Sequence, residues 1–449
     1  MFLLQMLNVY KTALYQSSSS SIASLQLIKE REPVGDVVHL IIASLYMFSI
    51  PLNTTAASTG FGALLVYSLI RLHMTWKSLV NILINPIMLL SIVFVGWNAL
   101  SLLWTDGLEN GLEHLRSMRM FLAPLLLWPI IPHWKWLLLA IVAGVFFLNI
   151  FQLIDMLQLY LLTGSIERTS GFMGGHPPSA GLWCTASMLI IYYFLHSLRS
   201  WQFCIATIAF LFATIGLIAS SGRGNIIGLA FVAIFFAVLN ISKLKEDKRY
   251  TLSFAVIMMA TIATIWFTPA STFLNARVNQ AINGFQSFVN ESDPRSSTGV
   301  RLTWWGSALR SAQLNPVSGL GLGGFAQWTE EDDGLAFYAD QWPTFTKRTI
   351  KGTTHPHSMY MSTIAEGGLI GISMLLTLIS CCVFYCWKYR DADRSGGIVC
   401  SLLMLWLIAG FFDSFHYSSQ TLSLLTITFT IAMYFVGLMQ NPSVPQSNR

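Results

Sequence analysis

Two histidines flank a proline in residues 353–359, Thr-Thr-His-Pro-His-Ser-Met. Proline has a fixed φ and no backbone N–H, which favours the first position of a helix, so we expect a helix to begin at Pro356 and to continue to about Trp387. His357 then lies in the first helical turn, where the positive end of the helix dipole disfavours the imidazolium form. A neutral imidazole can accept a proton. The pattern predicts a general base at His357, with His355 as an alternative base.

A stripe of residues at helical spacing follows His357 down one face of the predicted helix. Two of its members, Gly368 and Gly371, have no side chain, so a second helix is expected to pack closely beneath the histidine. The stripe comprises Met361, Ile364, Gly368, Gly371 and Leu375. The alternative interpretation is a membrane-boundary histidine in a helix that uses glycine only for packing.

Two arginines have the setting of anion-binding groups. Arg223 stands in Ser220-Ser-Gly-Arg-Gly-Asn225, where a capping serine and flanking glycines would expose backbone N–H groups at a helix start. Arg301 lies in a predicted helix that starts at Ser297 or Thr298 and carries an apolar stripe suited to the membrane surface. Both guanidinium groups match phosphate oxygens, although arginines also reach from a helix to the interface without any ligand.

Three further polar residues are expected on the same side of the membrane as His357. Arg168 is suited to phosphate or sugar, or to a salt bridge with Glu167, and His176 follows in the same loop. Asp413 ends a predicted membrane helix, where it can orient His357, pair with an arginine, or simply supply polarity at a helix end.

The composition identifies the elements that must carry these residues. Of 449 residues, 54% are hydrophobic and only 10% are charged, which is typical of a polytopic membrane protein and excludes a soluble globular fold. Apolar runs of membrane-spanning length predict about 12 transmembrane helices and an all-α fold. The predicted spans are residues 35–52, 55–72, 82–104, 116–131, 135–155, 178–198, 201–219, 221–240, 251–268, 357–387, 395–415 and 420–439.

Basic residues concentrate in the loops on one side of this topology, which predicts that both termini are cytoplasmic. The chain then divides into a cytoplasmic segment 1–34, transmembrane helices 35–268, a long outer segment 269–356 with short helices, transmembrane helices 357–439 and a cytoplasmic tail 440–449. The net charge of +5 reports this orientation and not nucleic-acid binding.

Other motifs carry no chemistry on this topology. Asp106 and Glu109 are more typical of a solvated turn than of a metal site, and residues 391–393 (Asp-Ala-Asp) belong to a cytoplasmic loop. The GxGxxG match at residues 319–324 lacks a βαβ context, which excludes dinucleotide binding. Residues 330–333 (Glu-Glu-Asp-Asp) are expected to form a solvated acidic turn. No metal and no cofactor are expected.

The sequence His357-Ser358, nine residues, then Gly368-Leu-Ile-Gly371 resembles the signature of the bacterial O-antigen ligases. The resemblance implies a glycosyltransferase C-like membrane fold and a catalytic base at His357, and Arg223 and Arg301 resemble the two arginines of that family. It also implies two substrates, undecaprenyl-pyrophosphate-linked O-antigen and lipid A-core oligosaccharide, which meet at the periplasmic face of a Gram-negative inner membrane.

The resemblance leaves related functions open. An O-antigen polymerase or a protein O-oligosaccharyltransferase would use the same lipid-linked donor. A polysaccharide or lipid transporter is disfavoured, because its ionisable groups should lie near the middle of the spans, whereas here they gather at the outer ends.

Overall fold

The structure is a computed structural model that describes residues 25, 32–164, 169–171, 176–195, 200–220, 222–239, 270–342, 350–388 and 395–440. Within these ranges the regular structure is entirely helical. The helices, in chain order, are α1 Pro33–Ser49, α2 Thr54–Ile70, α3 Leu72–Leu83, α4 Pro86–Leu100, α5 Leu108–Ser117, α6 Ala123–Leu127, α7 Trp134–Thr163, α8 Pro177–Leu195, α9 Ser200–Ser220, α10 Arg223–Leu239, α11 Ala270–Glu291, α12 Ser297–Leu314, α13 Phe325–Glu331, α14 Ala336–Gln341, α15 Met359–Lys388, α16 Ser395–Phe411 and α17 Ser419–Gln440.

Four helical segments of the described residues are long and apolar enough to cross a membrane. They are Pro86–Leu103, Leu108–Thr163, Trp201–Ser220 and Met359–Trp387, and α2 with α3 forms a fifth if that pair, bent by 95°, is one span. Shorter apolar helices accompany them. The chain therefore has the character of a polytopic membrane protein, but the predicted number of twelve spans is not confirmed. The predicted span 251–268 lies outside the described residues.

The predicted span 116–131 lies within the apolar segment Leu108–Thr163, but it is not one regular α-helix. The structure places the short helix α6 between two 3₁₀ segments, Met118–Leu122 and Trp128–His133. Pro124, Pro129 and Pro132 explain the interruption, because each lacks the N–H that a continuous helix needs and restricts the residue before it.

Helix α15 begins at Met359, so the prediction that Pro356 starts it is also wrong. His357 has φ of +50°, in the left-handed region, which a continuing right-handed helix excludes. The carbonyl of Ser358 accepts the first helical bond, from Ser362 N at 2.9 Å, and Met359 N donates to Asp413 O at 3.1 Å. His357 therefore precedes the helix and does not occupy its first turn.

Helix α15 is interrupted at Gly368, where φ is +60° and ψ is −159°. A loop rather than a second helix packs there: a Cβ at Gly368 would lie 2.4 Å from Val317 O. The loop replaces the missing helical hydrogen bonds. These bonds are Leu320 N to Ala365 O (2.9 Å), Gly321 N to Glu366 O (2.9 Å), Leu369 N to Pro316 O (2.8 Å) and Ile370 N to Val317 O (3.2 Å). The glycine-rich loop 315–324 and the membrane helix thus form one hydrogen-bonded unit.

Helix α12 organises the segment between the membrane helices. Its start matches the prediction: the Ser296 side chain accepts a hydrogen bond from Gly299 N at 2.9 Å, and the helix begins at Ser297. The predicted acidic turn is only partly solvated. Asp332 is buried and accepts hydrogen bonds from Arg310 and Ser307, so the prediction of a fully solvated turn is wrong.

Candidate functional site

The His357 side chain is held on two sides. Its Nδ1 lies 3.3 Å from Asp413 Oδ1, and its ring stacks on Trp304 with a centroid distance of 5.0 Å and an interplanar angle of 25°. A nitrogen that faces a carboxylate carries the proton in neutral imidazole, which leaves Nε2 as the acceptor. Left-handed backbone at a non-glycine residue is a strain that the surrounding contacts must hold, and such strain concentrates at functional sites.

Asp413 connects the end of α16 to the start of α15. Its backbone oxygen accepts from Met359 N, and its Oδ1 accepts from Ser414 N at 2.8 Å. Burial works to raise the pKa of Asp413, but the hydrogen bond from His357 and the charges of the nearby histidines outweigh it and hold the pKa below its ordinary value. Asp413 is therefore an ionised carboxylate that orients His357.

The second carboxylate oxygen of Asp413 forms fewer contacts than the first. Oδ2 is buried and lies 3.7 Å from His176 Nε2, and it accepts no hydrogen bond from any residue that the structure describes. The His176 side chain is 44% exposed, so it forms the outer edge of the cluster. One buried carboxylate oxygen thus lies beside a partly exposed imidazole.

His355 is the weaker candidate for a base. Its ring lies 4.5 Å from that of His357, and its Nδ1 is 2.9 Å from Thr354 Oγ1. Burial, assisted by the charge of His357, lowers the pKa of His355 to about 3. A base whose conjugate acid is so strong accepts a proton poorly at neutral pH, which favours His357 of the two.

Arg301 lies in the second turn of α12 and is half-buried. It forms neither a hydrogen bond nor an ion pair with any described residue. Burial lowers the pKa of Arg301 and the charge of Asp413 acts against that change, but a guanidinium stays protonated in either case. The five N–H donors of Arg301 therefore remain available to an anionic ligand.

Helix α12 also fixes the segment that carries both histidines. Trp304 Nε1 donates to Ile350 O at 3.1 Å, and Trp305 Nε1 donates to Pro356 O at 3.0 Å. Two adjacent indoles thereby attach residues 350–357 to the helix that bears Arg301. His357 and Arg301 are thus positioned by one element.

Arg223 is the first residue of α10, and its backbone lies close to the cluster. A Cβ on its neighbour Gly224 would lie 2.8 Å from Phe412 Cβ, so the start of α10 packs directly against the residue before Asp413. The side chain of Arg223 lies outside the described part of the structure, as does all of Arg168.

The structure thus brings together five of the predicted residues, which are His176, Arg301, His355, His357 and Asp413. The sequence did not predict that Trp304 stacks on His357, although the pair Trp304-Trp305 within a predicted helix was a usable signal. It also missed the buried cluster of His114, Glu366 and Tyr417.

That second cluster lies directly behind the first. The rings of His114 and Tyr417 stack at 3.9 Å, the Tyr417 hydroxyl donates to Glu366, and the Tyr417 ring lies 6.5 Å from that of His355. A carboxylic side chain inside an apolar helix could have been recognised from the sequence as a functional or packing site. Glu366 also faces the loop, where Phe325 N donates to its Oε1 at 3.4 Å.

Among the described residues, His355, His357 and Asp413 form a group suited to a metal ion. Each offers one ligand atom, and these three atoms lie within 4.8 Å of one another.

A histidine, an ionised aspartate and an arginine that pairs with no described residue thus lie together beside the ends of apolar helices, an arrangement suited to an anionic ligand. Residues 208–376 match the family model of O-antigen ligase, which supports the predicted resemblance to the O-antigen ligase family. Members of this family are glycosyltransferase-like ligases or polymerases, and the family implies lipid-linked polysaccharide and lipid substrates in the membrane. The match includes Arg223, Arg301 and His357, whereas His176 and Asp413 lie outside it. A comparison with curated proteins found no match.

Proposed function

We propose that this protein is an O-antigen ligase, which transfers O-polysaccharide from undecaprenyl pyrophosphate to a sugar hydroxyl of lipid A-core. The observation that carries the proposal is the unpaired guanidinium of Arg301 beside the His357–Asp413 pair. The donor has an anionic pyrophosphate that needs an arginine, and the acceptor has a hydroxyl that needs a base. This one site supplies both groups.

The proposed chemistry is a single displacement. His357 Nε2 takes the proton of the acceptor hydroxyl as that oxygen attacks the anomeric carbon, and the bond from that carbon to the pyrophosphate oxygen breaks. Undecaprenyl pyrophosphate leaves with the bonding electron pair, and the anomeric configuration inverts. Asp413 stabilises the imidazolium that forms, as a carboxylate does in other histidine-based sites.

Arg301 and Arg223 are proposed to bind the pyrophosphate and to stabilise the negative charge that develops on it. Fixed cations directed at a leaving group can supply much of the rate enhancement, and pyrophosphate is already a good leaving group. The proposed transfer is therefore independent of metal and of other cofactors. His176, with Arg168 in the same loop, is proposed to contact sugar or phosphate at the edge of the site.

The site is proposed to face the periplasm of a Gram-negative bacterium from the inner membrane, with both termini in the cytoplasm. Donor and acceptor lipids would enter laterally from the periplasmic leaflet. The distribution of basic residues along the chain supports this orientation.

The test is deletion of the gene in its native host, with electrophoresis of lipopolysaccharide and analysis of undecaprenyl-linked glycans. We expect long polymer on the lipid carrier together with bare lipid A-core. Core that bears a single repeat would identify a polymerase instead. Unchanged lipopolysaccharide together with the loss of glycan from a protein would identify a protein oligosaccharyltransferase.

Complementation tests the base. His357→Ala should lower transfer by about 10²–10⁴-fold, the usual effect of removing a general base, while the protein accumulates normally in the membrane. His73→Ala is the matched control, because His73 is an exposed histidine on α3. Near-normal ligation by the His357 variant would contradict the assignment of the base.

A further inference from the structure

We propose that His355, His357 and Asp413 bind a zinc ion, and that this ion inhibits the transfer reaction. The binding is inferred from the three side chains alone, whereas the inhibition rests on the proposed function of His357. The three ligand atoms lie within 4.8 Å of one another, and they come from two segments that Met359 N and Asp413 O join directly.

The donor set favours zinc over the hard cations. Two imidazoles and one carboxylate match catalytic zinc sites, which keep a fourth position open, whereas magnesium and calcium prefer oxygen ligands throughout. His176 Nε2, 3.7 Å from Asp413 Oδ2, is placed to complete the tetrahedron.

The spacing within the His357–Asp413 pair fits a bridging ion. Nδ1 and Oδ1 are 3.3 Å apart. This hydrogen bond is long, since the usual range from nitrogen to oxygen is about 2.7–3.2 Å. Zinc bonds of about 2.0–2.1 Å in a tetrahedron place two ligand atoms about 3.3–3.4 Å apart. This pair therefore already has the separation that the ion requires.

Neighbouring groups hold the ligands in place before any ion binds. Trp304 stacks on the His357 ring, Thr354 Oγ1 contacts His355 Nδ1, and Ser414 N donates to Asp413 Oδ1. Contacts of this kind fix the orientation of metal ligands in established sites. With its Nδ1 engaged by Thr354, His355 presents Nε2 to the ion.

The inhibition follows from the position of one proton. In neutral His357 the proton on Nδ1 faces Asp413, and Nε2 has the lone pair that accepts the acceptor's proton. Zinc bound through Nδ1 displaces that proton, which is taken up at Nε2 through solvent, so the ring remains neutral overall. Nε2 is then a donor and no longer a base.

Arg301 acts against the ion. Its unpaired positive charge faces the same carboxylate, so a divalent cation at Asp413 must overcome that repulsion. Removing this charge should therefore strengthen zinc binding. A ligand variant and an Arg301 variant are thus expected to change affinity in opposite directions.

The binding test uses the full chain, purified in detergent, stripped with EDTA and desalted. Zn²⁺ is titrated in competition with a chromogenic chelator, and Co²⁺ serves as a probe because four-coordinate Co²⁺ absorbs strongly in the visible range. We expect one ion per chain. Binding should weaken by at least about 10-fold in His355→Gln and in Asp413→Asn, persist in His73→Gln, and become several-fold tighter in Arg301→Gln.

Two results would overturn the site: no ion bound by the wild-type chain, or equal binding by all four variants. Size-exclusion chromatography identifies any ligand variant that fails to fold. If one does, the Arg301→Gln measurement still decides the matter, because unchanged or weaker binding in that variant contradicts the proposed location.

The inhibition test measures transfer from a lipid-linked donor in EDTA and again with added Zn²⁺. We expect activity in EDTA, its loss as one zinc binds, and its recovery on chelation. Full activity with zinc bound would overturn the inhibition and leave the proposed function intact. Activity that is lost in EDTA and restored by zinc would overturn both the inhibition and the metal-independent mechanism.

Discussion

Arg301 and Arg310 lie on the same helix, α12, and differ in what their guanidinium groups meet. Arg310 holds Asp332 through two bonds, Nε to Oδ1 at 3.1 Å and Nη2 to Oδ2 at 2.5 Å. The same carboxylate also accepts from Ser307 Oγ. Arg301 has no such bond with any described residue, although the charge of Asp413 reaches it.

The difference distinguishes a structural arginine from one that is available to a ligand. In the Arg310–Asp332 pair the donors and the acceptors satisfy one another, so the pair fixes α12 to the turn before α14. Asp413 is instead bound by His357 and Ser414, which leaves Arg301 unpaired. Because one rigid helix positions both arginines, the partner carboxylate determines the role of each.

Replacing each arginine in turn gives the sharpest test of this comparison. Arg301→Ala should lower transfer by about 10²–10³-fold, the usual cost of removing a fixed group that stabilises transition-state charge. Arg310→Ala should leave the rate per folded molecule unchanged and lower the amount of folded protein. Rates come from transfer to lipid A-core, normalised to protein in the membrane. Equal loss of rate in both variants would contradict the distinction.

Asp413→Asn tests whether this aspartate orients the base. An amide can present its NH₂ group to His357 and so favour the wrong tautomer. A large loss follows that change in serine proteases. We expect a smaller loss of about 10–100-fold here, because Trp304 also holds the ring.

The measurement is the rate at saturating acceptor. A variant that changes only the acceptor concentration needed for half-maximal rate would indicate a binding role for Asp413 instead.

Asp332→Asn should act on stability and not on rate. The variant weakens the hydrogen bonds to Arg310, whose side chain is 36% exposed, so solvent screens part of the interaction. We expect a loss of about 1–2 kcal/mol in unfolding free energy. Tryptophan fluorescence can report it, because Trp328 Nε1 donates to Ser307 in the same cluster. A lowered rate with unchanged stability would reverse the expected roles.

The smallest predicted effect is a dependence of stability on pH, which arises from the same carboxylate, Asp332. Burial works to raise the pKa of Asp332, but the hydrogen bonds from Arg310 and Ser307 outweigh it and hold the pKa below its ordinary value of 3.8. The unfolded chain therefore takes up the proton first, so this contribution is complete above that value and is lost as the pH falls through the folded-state pKa.

Thermal unfolding is measured for wild type and Asp332→Asn at pH values above and below 3.8. The stabilities of the two proteins should converge at low pH. A constant difference between the two proteins would contradict this account.

Local chemistry explains which features the sequence predicted. The start of α12 followed from a capping serine next to its own helix, and the two-histidine segment followed from a motif confined to a few residues. His357 precedes α15 instead of entering it because a distant residue, Asp413, binds the Met359 N–H and the imidazole. The rule that proline favours the start of a helix takes no account of this long-range contact with Asp413.

The errors elsewhere also concern partners that are distant in sequence. Because Asp332 stands in a run of four acidic residues, the sequence predicts that it is solvent-exposed. Only the packing of α13 against α12 reveals Arg310 as its partner. Glu366 is similar, since its contact is Tyr417. The interruption within 116–131 is the exception, because Pro124 and Pro129 were visible in the sequence and predict a break in the helix despite the apolar composition.

The interruption of α15 at Gly368 limits how the site can open. Four backbone hydrogen bonds join the two sides of the interruption to the loop 315–324. Moving this loop away as a lid would break these bonds and leave backbone groups unpaired, which costs about 1–3 kcal/mol for each group that stays buried. In hydrogen exchange, the amides of Leu320, Gly321 and Leu369 should exchange together and slowly, as one cooperative unit. The loop and the membrane helix are therefore expected to move together as one rigid unit.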